Sequence, residues 1–132
     1  MSNSEPIIED AVTIVPVRDV EASVRFYTDT LGFEQRFISD DKVFATVVHG
    51  DAALHLLHTK DQASLNATAN HISVYLWMRG VDDLFAAYKP KLDALEEGRV
   101  RAPFDQPYGM REFHVKDPDG CLLFFGENVS AD

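Results

Sequence analysis

The stretch Val15–Phe33, VPVRDVEASVRFYTDTLGF, decides how the rest of the chain is read. A β-branched run that begins near Ala11 passes through the Arg18-Asp19 pair straight into a helical pattern. Val20, Val24, Tyr27 and Leu31 lie at i, i+4, i+7 and i+11, which is one face of a helix. Asp19 suits the N-cap, because its carboxylate can accept from backbone N–H groups that have no partner within the helix. Gly32 suits the C′ position, where the chain turns left-handed at little cost to glycine. A strand that runs directly into an amphipathic helix is the opening of a repeating unit, and the segments after Gly32 identify that unit.

FEQRFIS and KVFATVVHG read as strands, and Gly50-Asp51 turns the chain into a third, AALHLLHT. Lys60 to Asn70, KDQASLNATAN, is polar without apolar periodicity and reads as a linker or exposed loop. HISVYLWM is a strand, and VDDLFAAYKPKLDALEEG is a helical pattern ending near Gly98 that Pro90 should kink or split. VRAPFDQPYG reads as loop. Tyr108–Glu127, YGMREFHVKDPDGCLLFFGE, is strand, turn, strand, with Asp117-Pro118-Asp119-Gly120 as the turn. Arg18 and Arg79, Val20 and Val81, and Tyr27 and Tyr88 are each 61 positions apart (79 − 18, 81 − 20, 88 − 27). With the shared order of elements, these matches predict a duplicated βαβββ unit in one α+β domain over 1–132. The modules span about 8–59 and 70–128, with a linker over 60–70.

Length and charge narrow the function. A chain of 132 residues with 45% hydrophobic content can bury one core. A net charge of −10, with no run of Lys or Arg, excludes nucleic-acid backbones and anionic membrane surfaces as natural partners. It favours a neutral or cationic small molecule. MSNSEPIIED lacks a signal pattern, no apolar run approaches the roughly 20 residues that span a bilayer, and Cys121 is a lone thiol. A cytoplasmic protein with a small buried cysteine is the expectation.

VPVRDVEASVRFYTDTLGFEQRF and YGMREFHVKDPDGCLLFFGE resemble the opening and closing signatures of the vicinal oxygen chelate superfamily. That group includes glyoxalase I, extradiol dioxygenases, fosfomycin-modifying enzymes and bleomycin-resistance proteins. The resemblance covers about Ala11 to Glu127 and implies two βαβββ modules, each curling a sheet into a half-barrel around a cleft. It also implies four cleft-facing strand positions that hold a divalent metal in the enzymes. Here these positions fall on Val12, His55, either His71 or Ser73, and Phe124. Val12 and Phe124 offer no donor atom, and two neutral imidazoles fall short of the three protein ligands of a catalytic metal site. The resemblance is therefore strongest to the bleomycin-resistance proteins, which lack the metal, sequester the drug and dimerise with exchange of an N-terminal strand.

The resulting expectation is a small-molecule binding protein with no metal, cofactor or catalytic residue, most simply a homodimer. Ser73, Tyr75 and Trp77 share one strand face and form an aromatic wall or core filler. Tyr108, Glu112, Phe124, His55 and His71 complete the candidate ligand-binding set. His114 alternates with Phe113, so one of the two faces away from the core. Two rivals stand beside this reading. One is a metal-dependent lyase, isomerase or dioxygenase using His55, His71 and a carboxylate such as Glu112 or Glu127. The other is a metal-free enzyme with His55 as general base.

Overall fold

The structure, a computed structural model, describes residues 5–129; the first four residues of the N-terminal stretch and residues 130–132 lie outside it. The first module is β1 (Thr13–Val17), α1 (Val20–Arg25) continued by a π-helical turn (Phe26–Thr30), β2 (Glu34–Ile38), β3 (Phe44–His49) and β4 (Ala52–His58). After α2 (Gln62–Asn70) the second is β5 (Ser73–Trp77), α3 (Val81–Leu92), β6 (Val100–Asp105), β7 (Met110–Lys116) and β8 (Leu122–Asn128). The strand orders are β1-β4-β3-β2 and β5-β8-β7-β6, the same topology twice. In each sheet the first and last strands pair in parallel and the rest antiparallel. Neither sheet closes on itself.

Local chemistry accounts for the first helix as expected. The Asp19 carboxylate accepts from the Ala22 N–H at 3.0 Å, and Gly32 takes φ +70° just past the helical end. Val20, Val24, Tyr27 and Leu31 are all buried; α1 packs on β3 and β4, and the π-helical turn on β2 and the second module's helix. Leu92, 61 residues after Leu31 (92 − 31), is buried in the same place in the second module and adds a fourth match. Strand alternation sends Val15, Val17, Ala45, Val47, Leu54 and Leu56 of the first sheet into the core. Val74, Phe113, Val115, Leu123 and Phe125 of the second join the same apolar cluster. With one face of each sheet spent on this shared core, the opposite faces are left open.

Three segments depart from the sequence reading. Within Lys60–Asn70, Gln62–Asn70 is a helix rather than a loop. Asp61 caps it by accepting from the Ser64 N–H and Oγ, at 3.0 and 2.8 Å. Its stability comes from tertiary contact: Leu65 and Thr68 are buried, and the Thr68 hydroxyl donates to the Pro16 carbonyl at 2.8 Å. The VRAPFDQPYG segment contributes β6. Pro103 is tolerated because β6 is an edge strand, bulged between Arg101 and Phe104. Pro90 neither splits nor precedes a longer helix: α3 runs through it and stops two residues later at Leu92, short of Gly98. Its missing N–H leaves the Ala86 carbonyl without its i→i−4 partner, and the helix ends within one turn of that loss.

Candidate functional site: the open face of the second sheet

The burial of Val74, Phe113, Phe125 and their neighbours on one face fixes what the other face carries. Ser73, Tyr75 and Trp77 of β5, Phe124 and Gly126 of β8, and Glu112 and His114 of β7 face outward. Cross-strand register aligns them in two rows. Tyr75 pairs with Phe124 and Phe124 with His114; Trp77 pairs with Gly126 and Gly126 with Glu112. Tyr75 and Phe124 stack at 5.6 Å between centroids, 24° from parallel, and the His114 ring lies 4.2 Å from that of Phe124. Phe104 meets His114 edge-on at 5.2 Å, and the Arg101 guanidinium lies 3.5 Å over Phe104. Trp77 closes the other end, 5.2 Å from Tyr75 and 73% exposed. Aromatic and cationic groups thus form an unbroken layer across four strands.

A buried anion lies within this layer. Glu112 is fully buried, and each of its oxygens accepts twice. Oε2 takes the hydroxyls of Tyr75 and Tyr108, both at 2.7 Å. Oε1 takes Gln106 Nε2 at 3.0 Å and His114 Nε2 at 2.8 Å. Burial alone would raise this carboxyl, but the bonds from His114, Gln106, Tyr108 and Tyr75 together outweigh it and hold the group down at about 2. The same carboxylate raises the Tyr75 and Tyr108 hydroxyls, for Tyr75 after the larger effect of desolvation. With all four lone-pair directions used, Glu112 has no free site for a metal or a direct ligand contact. Its chemical effect is to hold two phenols in place while projecting negative potential through the rings.

Gly126 makes this arrangement possible. A Cβ there would overlap the Tyr75 hydroxyl, so only glycine lets the ring lie across β8 and reach Glu112.

The structure gathers Tyr75, Trp77, Tyr108, Glu112 and Phe124 on this face, with Ser73 exposed at its edge. It adds His114, Gln106 and Gly126, which the sequence reading did not select. Alternation from Phe113 would have found His114 once Phe113 was known to be core. It does not bring in His55 or His71. His55 lies on the open face of the first sheet, its ring edge-on to Phe44 at 5.0 Å, and makes no hydrogen bond or ring contact with the second sheet. His71 caps the end of α2 and is exposed. Glu127, the other candidate carboxylate, accepts from the Val81 N–H at 2.7 Å. The rival metal set is therefore not assembled, and among the described residues no group of three or more His, Cys, Asp or Glu is placed to hold a metal ion. Cys121 is buried, and desolvation, then Asp117 and Asp119, push its thiol up to about 12, as befits an inert core residue.

Among the described residues no helix is long and apolar enough to cross a membrane. A family model for the Glyoxalase/Bleomycin resistance protein/Dioxygenase superfamily matches residues 10–125. A solved structure of the bleomycin-binding protein from Streptomyces verticillus, complexed with copper(II)-bleomycin, is 31% identical with a TM-score of 0.71 over 92% of this chain and 97% of that one. The bleomycin resistance protein of Geobacillus stearothermophilus is 25% identical over 92% of this chain and 98% of its own. A probable lactoylglutathione lyase of Vibrio parahaemolyticus is 28% identical over 90% of each chain. Two βαβββ sheets of one topology, a match across nearly the whole chain and the likeness to a bleomycin-binding structure lead to one conclusion: this chain belongs to the glyoxalase/bleomycin resistance protein/dioxygenase superfamily.

Proposed function

We propose that the chain is a small-molecule binding protein that works without a metal, holding an aromatic or cationic drug-like ligand against the Tyr75–Phe124–His114 face. The observation that carries this reading is Phe124. Where the family resemblance expects a metal-binding carboxylate, a ring is stacked into an aromatic layer. Val12 removes a second donor, and Glu112 is consumed by its four partners. An aromatic face above a buried anion attracts flat and cationic groups together. The net charge of −10 adds long-range attraction for a cation. The similarity to bleomycin-binding and bleomycin-resistance proteins supports sequestration rather than catalysis.

A homodimer completes the reading. Ile14, Phe37 and Leu57 expose apolar surface on the open face of the first sheet, around His55. In a dimer of the bleomycin-resistance kind, that face would form the opposite wall of a cleft shared between subunits, and His55 would meet the ligand there. A cytoplasmic location accords with the single buried thiol.

Titration with bleomycin, followed by the emission of the sole tryptophan, tests the proposal. Saturable change in Trp77 emission is expected, with Phe124→Ala weakening binding roughly 2- to 30-fold and leaving the fold intact. Stoichiometric metal in protein purified without chelator, lost on His55→Ala, would instead establish the metalloenzyme. Tight binding that leaves Trp77 emission unchanged and tolerates Phe124→Ala would move the site elsewhere.

A further inference from the structure

An open pocket of about 510 Å³ lies beside α3, at the junction of the two modules. Phe33 and His49 line one side, and Leu84, Ala87, Tyr88 and Phe125 the other. Of the aromatic face only Trp77 also reaches it.

The internal duplication shows what occupies the corresponding place in the first module. Arg79, Leu84 and Tyr88 correspond to Arg18, Ser23 and Tyr27 (79 − 18, 84 − 23, 88 − 27). One segment, the turn between β7 and β8, engages all three of the latter. The Arg18 N–H donates to Asp119 Oδ1 at 3.1 Å, the Ser23 hydroxyl to Oδ2 at 3.5 Å, and the Tyr27 hydroxyl to Asp117 at 2.8 Å. The Arg18 guanidinium lies 3.6 Å from the Asp119 carboxylate. Five residues, 117–121, separate β7 from β8, but only Gly50 and Asp51 separate β3 from β4. The shorter turn does not fill the equivalent space. Tyr88 accordingly donates to the Leu31 carbonyl, and the Arg79 guanidinium makes no ion pair or hydrogen bond among the described residues. Leu84 for Ser23 and Ala87 for Phe26 (87 − 26) leave the space wider and more apolar.

We infer that this pocket is a second binding site, for a small carboxylic acid with an apolar body. The acid takes against Arg79 the place that Asp119 takes against Arg18, and the body fills the space between Phe33, Leu84, Ala87 and Phe125. Asp83 shares the wall, so the acid seats on the Arg79 side and a second negative group is disfavoured. The site shares only Trp77 with the aromatic face and does not rest on the reading given to that face.

Phenylacetate, phenylacetamide and phenethylamine, titrated against the full chain and followed by amide chemical shifts, test the assignment. Phenylacetate should bind saturably and shift the amides of Leu84 and Ala87, not those of His114 and Phe124. It should bind roughly two- to fivefold tighter than phenylacetamide, the range of an exposed ion pair, with phenethylamine weakest. Arg79→Gln should erase the difference between acid and amide. Ala87→Phe, which restores the bulk that Phe26 supplies in the first module, should abolish binding of both, while Phe124→Ala leaves it unchanged. Ala52→Leu fills the pocket from the opposite wall if Ala87→Phe does not fold. Preference for the amine, or indifference to Arg79→Gln, overturns the carboxylate assignment. No saturable binding, or shifts confined to the His114 face, overturns the site. A change in the monomer–dimer ratio on filling the pocket makes it a contact between copies and likewise ends the proposal.

Discussion

Tyr27 and Tyr88 stand at the same place in the two modules and spend their hydroxyls differently. Tyr27 donates to a buried carboxylate, Asp117, delivered by the turn of the other module; Tyr88 donates to a backbone carbonyl at Leu31. The open faces diverge in the same way. Ile14 in β1 corresponds to Tyr75 in β5 (75 − 14 = 61), and two positions further along the paired residue of the adjacent parallel strand is Leu57, opposite Pro16, in the first sheet and Gly126, opposite Trp77, in the second. Where the first sheet presents aliphatic side chains, the second has removed one side chain so that a phenol can cross the strand to Glu112. Duplication supplies a frame twice, and each copy is then free to fill or empty the same position.

That contrast can be broken most forcefully at Gly126. Gly126→Ala sets a methyl group against the Tyr75 hydroxyl, so the ring must leave Glu112 or the strand must shift. A loss of about 2–4 kcal/mol in urea unfolding is expected, from overpacking and a lost hydrogen bond to a buried charge. Leu57→Ala, at the corresponding place in the first sheet, should cost under about 1 kcal/mol because Leu57 is 43% exposed. Equal costs would show that the two open faces are not differently built.

The next effect is on pH dependence. Burial first, with some repulsion from Asp119, raises the Asp117 carboxyl from 3.8 to about 6, against the hydrogen bonds from Tyr27, Cys121 and Asp119 that lower it. The folded state therefore holds this proton more tightly than the unfolded chain. Its contribution is fully present below 3.8 and lost as the pH rises through 6. Glu112 has the opposite sign: held at about 2 against 4.5, its contribution is present above 4.5 and lost as the pH falls through 2. These two groups alone place maximum stability between 3.8 and 4.5. Asp117→Asn should flatten the limb between about pH 4 and 6, removing a slope of up to about 1.4 kcal/mol per pH unit, and leave the acid limb intact. An unchanged slope in Tm against pH would mean that Asp117 does not titrate there.

The smallest effect separates the two tyrosines themselves. At pH 7.5 Tyr27→Phe removes a donor from a buried carboxylate and should cost about 1.5–3 kcal/mol, while Tyr88→Phe removes a neutral bond and should cost about 0.5–1.5 kcal/mol. Both are readable by denaturant unfolding. A reversed order would mean that the Asp117 bond contributes less than its geometry suggests.

Much of this was legible in sequence because its cause is local. The face formed by Val20, Val24, Tyr27 and Leu31, the Asp19 cap, the Gly50-Asp51 turn and the alternation that puts Tyr75 and Trp77 together all depend on residues within a few positions of one another. Helix α2 was missed although Asp61 signalled its start, because the burial of Thr68 depends on the Pro16 carbonyl, 52 residues away. Strand β6 was missed because charge and proline are permitted only by its place at an edge. Gly126 reads in sequence as any strand glycine, and its role emerges only where Tyr75 crosses it.

From the sequence alone came the duplicated βαβββ order, the family resemblance and the want of donor atoms at Val12 and Phe124, since periodicity, spacing and side-chain chemistry are properties of the chain itself. Only the tertiary structure decided that Glu112 is saturated by Tyr75, Tyr108, Gln106 and His114, and that His55 stands on the other sheet. It alone decided that the space plugged by Asp117 and Asp119 in one module is left hollow in the other. The reason is physical: a hydrogen-bond network and a pocket are set by which distant strands lie side by side, and no local pattern carries that register.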